Sequence, residues 1–298
     1  MKVLETNRLS KSYGKIKAVT GLDLTVEPGQ VYGILGPNGS GKTTTLGMIM
    51  GIIHQDDGGF SWFEEGSGSR LRKRIGTLLE TPNFYPYLSA VKNLKIVAHI
   101  KKDRTSDIGE LLQLVNLYDR KDSAFKTYSL GMKQRLAIAA ALIGDPDVLI
   151  FDEPTNGLDP EGIKEVRELL LKIAQRGKTI IMASHILDEV EKVCTHVAII
   201  KKGKLLATGS VGAIINAKPT VEIAAKDLKS LEAAVTAHAE VDSVTVDNGK
   251  IILTLSENYS TGDLNKWAYD NGYLLTHLVE RQKSLEEEFL EITRSENN

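Results

Sequence analysis

One stretch limits what this chain can fold into more than any other: Gly36-Pro37-Asn38-Gly39-Ser40-Gly41-Lys42-Thr43-Thr44. It fits the pattern G-x-x-x-x-G-K-[ST] at every position. Glycines at this spacing let the backbone curl so that successive N–H groups point at one spot, a nest for anionic oxygens. Lys42 adds a point charge suited to β- and γ-phosphates, and the Thr43 hydroxyl suits a Mg²⁺ ion, which takes oxygen ligands. The flanks agree. Val31-Tyr32-Gly33-Ile34-Leu35 reads as a buried strand and residues 44–50 as a helix. The free N–H groups and positive dipole end of that helix then lie beneath the phosphates. A chance Gly-rich turn would lack this strand–loop–helix context.

Strands and helices alternate around the loop. Residues 2–5 and 22–26 read as short strands, with turn signals at Tyr13-Gly14 and Glu27-Pro28-Gly29. Residues 51–69 carry five glycines and read as loop. The basic run Arg70-Leu71-Arg72-Lys73-Arg74 reads mainly as a solvated face. Residues 75–79 form a buried-strand pattern ending at Glu80, residues 147–151 one ending at Asp152 and Glu153, and residues 179–184 one stopping at His185. Between the first two lies a helical insertion, about residues 81–145, with Ser89 and Ser129 as N-cap candidates. Its entry carries Pro82 and Pro86, which exclude continuous helix, among Phe84, Tyr85 and Tyr87. This order predicts an α/β fold with a mostly parallel sheet and helices on both faces. Ligands of such sheets bind beyond the carboxyl ends of the strands. Glu80, Asp152, Glu153 and His185 all fall on that rim, with the Gly36–Thr44 loop.

The character changes at Ala217-Lys218-Pro219. Residues 1–216 and 217–298 are therefore read as two domains. The second shows a βαββαβ order with an Asp247-Asn248-Gly249 hairpin turn, which suggests a small α+β, ferredoxin-like fold. No phosphate loop, metal cluster or acid/base pair is apparent in it.

Asp152, at the end of an apolar strand beside the phosphates, suits holding a metal ion. Strand alternation sends Glu153 to the other side, where it is the candidate to orient or deprotonate a water attacking the γ-phosphate. His185 is placed to hydrogen-bond a γ-phosphate oxygen. Tyr13 either stacks on a purine ring or is an ordinary surface tyrosine. A net charge of −2 argues against a nucleic-acid binder. The lone Cys194 excludes an internal disulfide and any Cys-cluster metal site, and a reducing, cytoplasmic setting fits. No signal peptide or membrane-spanning run is read, so action at a membrane requires another chain to span it.

Together, Tyr13, the Gly36–Thr44 loop, Tyr128-Ser129-Leu130-Gly131-Met132-Lys133-Gln134-Arg135, residues 150–159 and His185 resemble an ABC-type ATPase nucleotide-binding domain, a P-loop NTPase, over residues 1 to about 216. The resemblance implies ATP and Mg²⁺ as ligands. It makes Tyr13 the adenine-stacking aromatic, Asp152 a metal residue together with Thr43, Glu153 the catalytic base and His185 the switch histidine. Asn156-Gly157-Leu158-Asp159 becomes the D-loop. Ser129 and Gly131 belong to the signature that caps ATP held by the opposite subunit, so two copies must meet head-to-tail as a homodimer. Leu130 and Met132 stand where that signature usually has Gly and Gln, and Glu80 replaces the usual Q-loop glutamine and becomes a candidate metal ligand. The Glu80 substitution and the wording of the signature are similar to ATPases of bacitracin-resistance and lantibiotic-immunity exporters. The implied function is the ATP-hydrolysing subunit of an ABC exporter, on the inner face of the membrane, energising a separate permease that docks on the helical insertion. The alternatives are a soluble, non-transport ABC ATPase, or an exporter ATPase whose C-terminal domain senses a ligand.

Overall fold

The computed structural model describes residues 2–79, 83–215, 220–256, 259–281 and 284–295. Its contacts divide the chain into two compact units, residues 1–211 with 292–298, and residues 212–291.

The first unit begins with an antiparallel layer. Strand β1 (Leu4–Tyr13) pairs with β2 (Ile16–Leu22), β3 (Thr25–Val26) and β5 (Asp57–Trp62). Two of these strands differ from the sequence reading. β2 precedes the expected strand at 22–26, which is itself broken after Leu22, and β5 runs through the Gly-rich segment. The glycines are the reason β5 fits. A Cβ on Gly58 would lie 2.3 Å from the Arg8 carbonyl oxygen, at an irregularity in the β1–β5 register. Glycine inside a strand here marks close backbone approach rather than a loop.

The central sheet has the order β10-β9-β4-β8-β7-β6. β4 (Val31–Leu35), β6 (Ile75–Leu78), β7 (Val148–Asp152), β8 (Thr179–Ser184) and β9 (His196–Lys201) run parallel; β10 (Lys204–Ser210) closes one edge antiparallel to β9. β4, β7 and β8 are buried along their whole lengths, the state expected of parallel strands covered on both faces. Side chains such as Phe151 and Ile34 each contribute about 1.5–3 kcal/mol by leaving water. Helix α1 (Lys42–Ile49) follows β4. A short helical turn, Leu71–Arg74, leads into β6, and between β6 and β7 lie the helices α2 (Ala90–Lys101), α3 (Ile108–Leu114) and α4 (Leu130–Leu142). Ser89, Asp107 and Ser129 cap them, each accepting a backbone N–H of the first turn. Helices α5 (Pro160–Gln175) and α6 (Leu187–Val193) follow β7 and β8. α6 lies tight on β4, since a Cβ on Gly33 would be 2.8 Å from Val190 Cγ1 and 3.0 Å from Cys194 Sγ. The single turn α7 (Val211–Ile214) straddles the division between the units, with Gly212 to Ile214 in the second.

The second unit runs β11 (Thr220–Ala225), α8 (Leu228–Thr236), β12 (Val241–Asp247), β13 (Lys250–Leu255), α9 (Thr261–Asp270), β14 (Leu275–Arg281). Its antiparallel sheet has the order β12-β13-β11-β14. Asn248 and Gly249 turn the β12–β13 hairpin with φ of +48° and +76°, both in the left-handed region. Val221, Ile223, Leu231, Ile251, Leu253 and Leu264 form its own core. The chain closes with α10 (Leu285–Ser295). No helix among the described residues is long and apolar enough to cross a membrane.

Candidate functional site

The parallel register brings the predicted residues to one rim. Leu35 pairs with Ser184, and Asp152 with Ala183, so the chain leaves β4, β8 and β7 at the same level. From β4 it enters the Gly36–Thr44 loop. A Cβ on Gly36 would lie 2.2 Å from the Ile200 carbonyl oxygen and 2.4 Å from Ser40 Oγ. Gly41, at φ +108°, would drive a Cβ to 2.4 Å from the Ala18 carbonyl oxygen. Close approach thus fixes both glycines, and at Gly41 the left-handed dihedral does so as well. α1 has no side-chain N-cap at Gly41, which leaves the N–H groups of its first turn available to an anion. Ser40 is buried, and its Oγ has no hydrogen-bond partner among the described residues. Thr43 is exposed at the mouth of the loop, and Thr45 Oγ1 donates back to the Gly41 carbonyl at 2.9 Å.

Lys42 is 6% exposed and folds over the loop. Its Nζ donates to the Gly36 carbonyl at 2.8 Å and the Pro37 carbonyl at 3.4 Å, and lies 3.3 Å from Glu153 Oε1. Glu153 reaches the other way as well. Its Oε2 is 2.8 Å from His185 Nδ1 and accepts the His185 backbone N–H at 3.3 Å. The sequence reading placed Glu153 by strand alternation, and the structure corrects that. β7 ends at Asp152, and Glu153 has φ +50°, a left-handed conformation that few non-glycine residues adopt. The turn, and not the pleat, aims this carboxylate between Lys42 and His185. Asp152 is 4% exposed at the end of β7. Glu80 lies outside the described residues.

Mg²⁺ suits a donor set of hydroxyl and carboxylate oxygen, and it usually keeps several waters and phosphate oxygens. Thr43, exposed on the loop, and Asp152, at the end of β7, are the hydroxyl and the carboxylate that would hold it. The described residues contain no group of three or more His, Cys, Asp or Glu able to hold a metal.

A second cleft lies at the start of α4 and α5, lined by Ser129, Gly131, Leu158, Asp159 and Gly162, with no residue of the Gly36–Thr44 loop among them. Ser129 Oγ accepts the Met132 N–H at 3.3 Å, and Asp159 Oδ1 accepts the Gly162 N–H at 3.1 Å. Two capped helix N-termini therefore open side by side. The Leu130 side chain, 45% exposed, rests near Gly157: Cδ2 would be 3.3 Å from a Cβ there.

Tyr13 ends β1, half exposed, with Lys11 Nζ 5.7 Å from its ring centre. Of the insertion's aromatics, Phe84 packs edge-on against Phe125 at 5.1 Å, whereas Tyr85 and Tyr87 are 61% and 77% exposed. Sequence reasoning missed what holds them there. Asn93, buried, accepts the Tyr85 N–H through Oδ1 at 2.9 Å and donates from Nδ2 to the Tyr85 and Leu88 carbonyls. It also missed the outer wall of the phosphate loop, where Gly203 N–H donates to the Ser40 carbonyl at 2.9 Å. A Lys-Lys-Gly turn carries no chemical signal of that task.

A family model described as ABC transporter matches residues 19–156. The bacitracin transport ATP-binding protein BcrA of Bacillus licheniformis is 38% identical over 296 residues, 97% of each chain. The lantibiotic transport ATP-binding protein SrtF of Streptococcus pyogenes is 39% identical over 204 residues, 68% of this chain and 89% of its own. Among solved structures, cbiO1 from Clostridium perfringens, part of the ABC transporter complex cbiONQ, superposes with a TM-score of 0.64 at 28% identity, covering 72% of this chain and 90% of that one. The ATP-binding cassette MJ0796, a dimer bound to ADP and Pi, gives 0.62 at 24% identity, covering 70% of this chain and 98% of that one, and shares the fold.

Proposed function

The chain belongs to the ABC transporter ATP-binding proteins and is an ATPase, and from that footing we propose that it works as a head-to-tail pair driving export through a separate permease. The cargo class we infer is a peptide antibiotic, by its likeness to the bacitracin and lantibiotic transport proteins. The observation that carries the hydrolytic reading is Glu153 suspended between Lys42 and His185, at the strand-end rim beside Asp152.

In this reading the loop N–H groups and Lys42 hold the β- and γ-phosphates of ATP, and Tyr13 stacks on the adenine. Thr43 and Asp152, with Glu80, hold Mg²⁺, which neutralises phosphate charge when bound. Glu153 takes a proton from the attacking water as the new O–P bond forms and the bond to the ADP oxygen breaks. His185 Nδ1 is engaged by Glu153, so Nε2 is the nitrogen offered to the γ-phosphate. Ser129 and Gly131 cap the phosphates of the second copy's ATP from the cleft beside Asp159. Tyr85 and Tyr87, held outward by Asn93, receive the permease. Residues 1–216 form the nucleotide-binding domain at the inner face of the membrane. Residues 217–298 form an accessory domain whose βαββαβ order and antiparallel sheet support a ferredoxin-like assignment.

Replacing Lys42 with Ala is expected to reduce phosphate release from ATP to background, and unchanged turnover would contradict the site. A Glu153→Gln chain in saturating ATP should run as a dimer by light scattering; a monomer there counts against the paired arrangement. Co-expression with its permease should protect cells from a bacitracin-class peptide, and loss of that protection with Lys42→Ala ties export to hydrolysis.

A further inference from the structure

Two helices that follow site segments are joined by a partly buried ion pair that the hydrolytic chemistry leaves unused. Arg167, on α5, donates from Nη1 to Glu189 Oε1, on α6, at 2.8 Å. Glu189 is 5% exposed, and its Oε2 is buried with no hydrogen-bond partner among the described residues. A buried carboxylate satisfied on one oxygen is costly to keep, so stability alone does not explain it.

Its placement does. α5 begins at Pro160, capped by Asp159, immediately after the Asn156–Asp159 turn, and Arg167 lies about two turns further on. α6 begins two residues after His185, and Glu189 falls in its first turn. That helix has no side-chain N-cap; it is held from below at Gly33, and by the Ile186 N–H donating to Ser184 Oγ at 3.0 Å. The Arg167–Glu189 pair tethers it sideways.

We propose that Arg167 and Glu189 are a positioning pair that couples the Asn156–Asp159 turn to the setting of His185. The proposal rests on the hydrolytic reading above. The guanidinium now meets the carboxylate through one nitrogen. A small approach of α5 toward α6 converts that contact into a two-nitrogen fork that satisfies Oε2. The single contact is the arrangement seen here, and the fork is the second arrangement that the proposal assigns to the pair as a coupling element. A second copy that presses on the turn at 156–159 pushes α5 along its axis, closes the fork, draws in the first turn of α6 and resets the imidazole next to Glu153.

The test uses the full chain with Arg167→Lys, which keeps charge without the fork, Glu189→Gln, which keeps shape, and the double variant. Each single change should lower kcat by about tenfold, a coupling of ordinary size, with KM for ATP and Tm little changed. The double variant should be no worse than either single one, because both remove the same contact. Ring resonances of the six histidines give a readout independent of turnover. The His185 signal, assigned by its loss in His185→Gln, should move in both single variants while those of His54 and His277 stay. Losses that multiply in the double variant, a fall traced to KM or Tm, or an unmoved His185 signal would overturn the proposal. If the unaltered chain never hydrolyses ATP, the hydrolytic reading fails separately, and the resonance still decides the pair. Should Glu189→Gln fail to fold, Arg167→Lys, at a side chain 22% exposed, carries the test.

Discussion

Glu153 already engages Lys42, the cation proposed to meet the γ-phosphate. With one oxygen toward Lys42 and the other on His185, its carboxylate occupies the cation's attention that a γ-phosphate would claim. Glu153→Gln is therefore expected to tighten binding of a non-hydrolysable ATP analogue several-fold, as the competing charge is removed. Titration calorimetry at fixed salt checks this, and an unchanged or weaker Kd would show that the two anions do not compete. Gly36→Ala tests the opposite kind of constraint. A methyl group 2.2 Å from the Ile200 carbonyl cannot be accommodated without moving β9, so a loss of about 1–3 kcal/mol and of ATP binding is expected. Chemical denaturation and the same calorimetry read both. At this scale the sequence was most legible where chemistry demands a residue type at a fixed spacing, as in the loop and the strand-end acids. The left-handed turn at Glu153 had no such mark. Which way that side chain points depends on a backbone conformation that the residue's identity disfavours.

Helix boundaries were legible for a related reason: Ser89 and Ser129 satisfy N–H groups within three residues of themselves, so the signal is local. β2 and β5 were not, because their pairing depends on β1 and on glycine-assisted close approach. The far end of α4 was equally hidden. Lys101, at the end of α2, runs its stem over the surface but sinks its ammonium among the carbonyls of Ala140, Ala141 and Ile143, at 3.2, 3.1 and 2.9 Å. Burial pushes that ammonium down to about 8, against 10.5 ordinarily. Between those values the unfolded chain binds more protons than the folded one, so this residue adds stability as pH rises from about 8 to 10.5. Lys101→Met should remove that rise. Thermal midpoints at pH 7.5 and 10 (our suggested settings, roughly bracketing the window) would differ less in the variant than in the parent chain, and equal differences would refute the assignment.

For the whole molecule, each unit holds a buried core of its own, built around Ile34, Ile150 and Ile181 in the first and Ile223, Leu231 and Leu253 in the second. Scanning calorimetry should resolve two transitions, with an ATP analogue at about 100 times its Kd stabilising only the first unit, by roughly 2.7 kcal/mol. Transitions that shift together would make the cores one cooperative body. The sequence reading divides the chain at Ala217-Lys218-Pro219, whereas the contacts divide it after Val211 and group residues 292–298 with the first unit; the strand order of the second sheet was not legible, since it rests on pairings far apart in sequence. One packing detail also equips the chain with its own stopwatch. Cys194 is the sole cysteine, 7% exposed, wedged by α6 against Gly33 of the strand that feeds the phosphate loop, and burial pushes its thiol well above the usual range. A thiol reagent finds a thiolate there only when α6 lifts from β4. Labelling rate thus clocks the opening of that layer, and any slowing by nucleotide is the grip of the loop, read from the opposite side of its own strand.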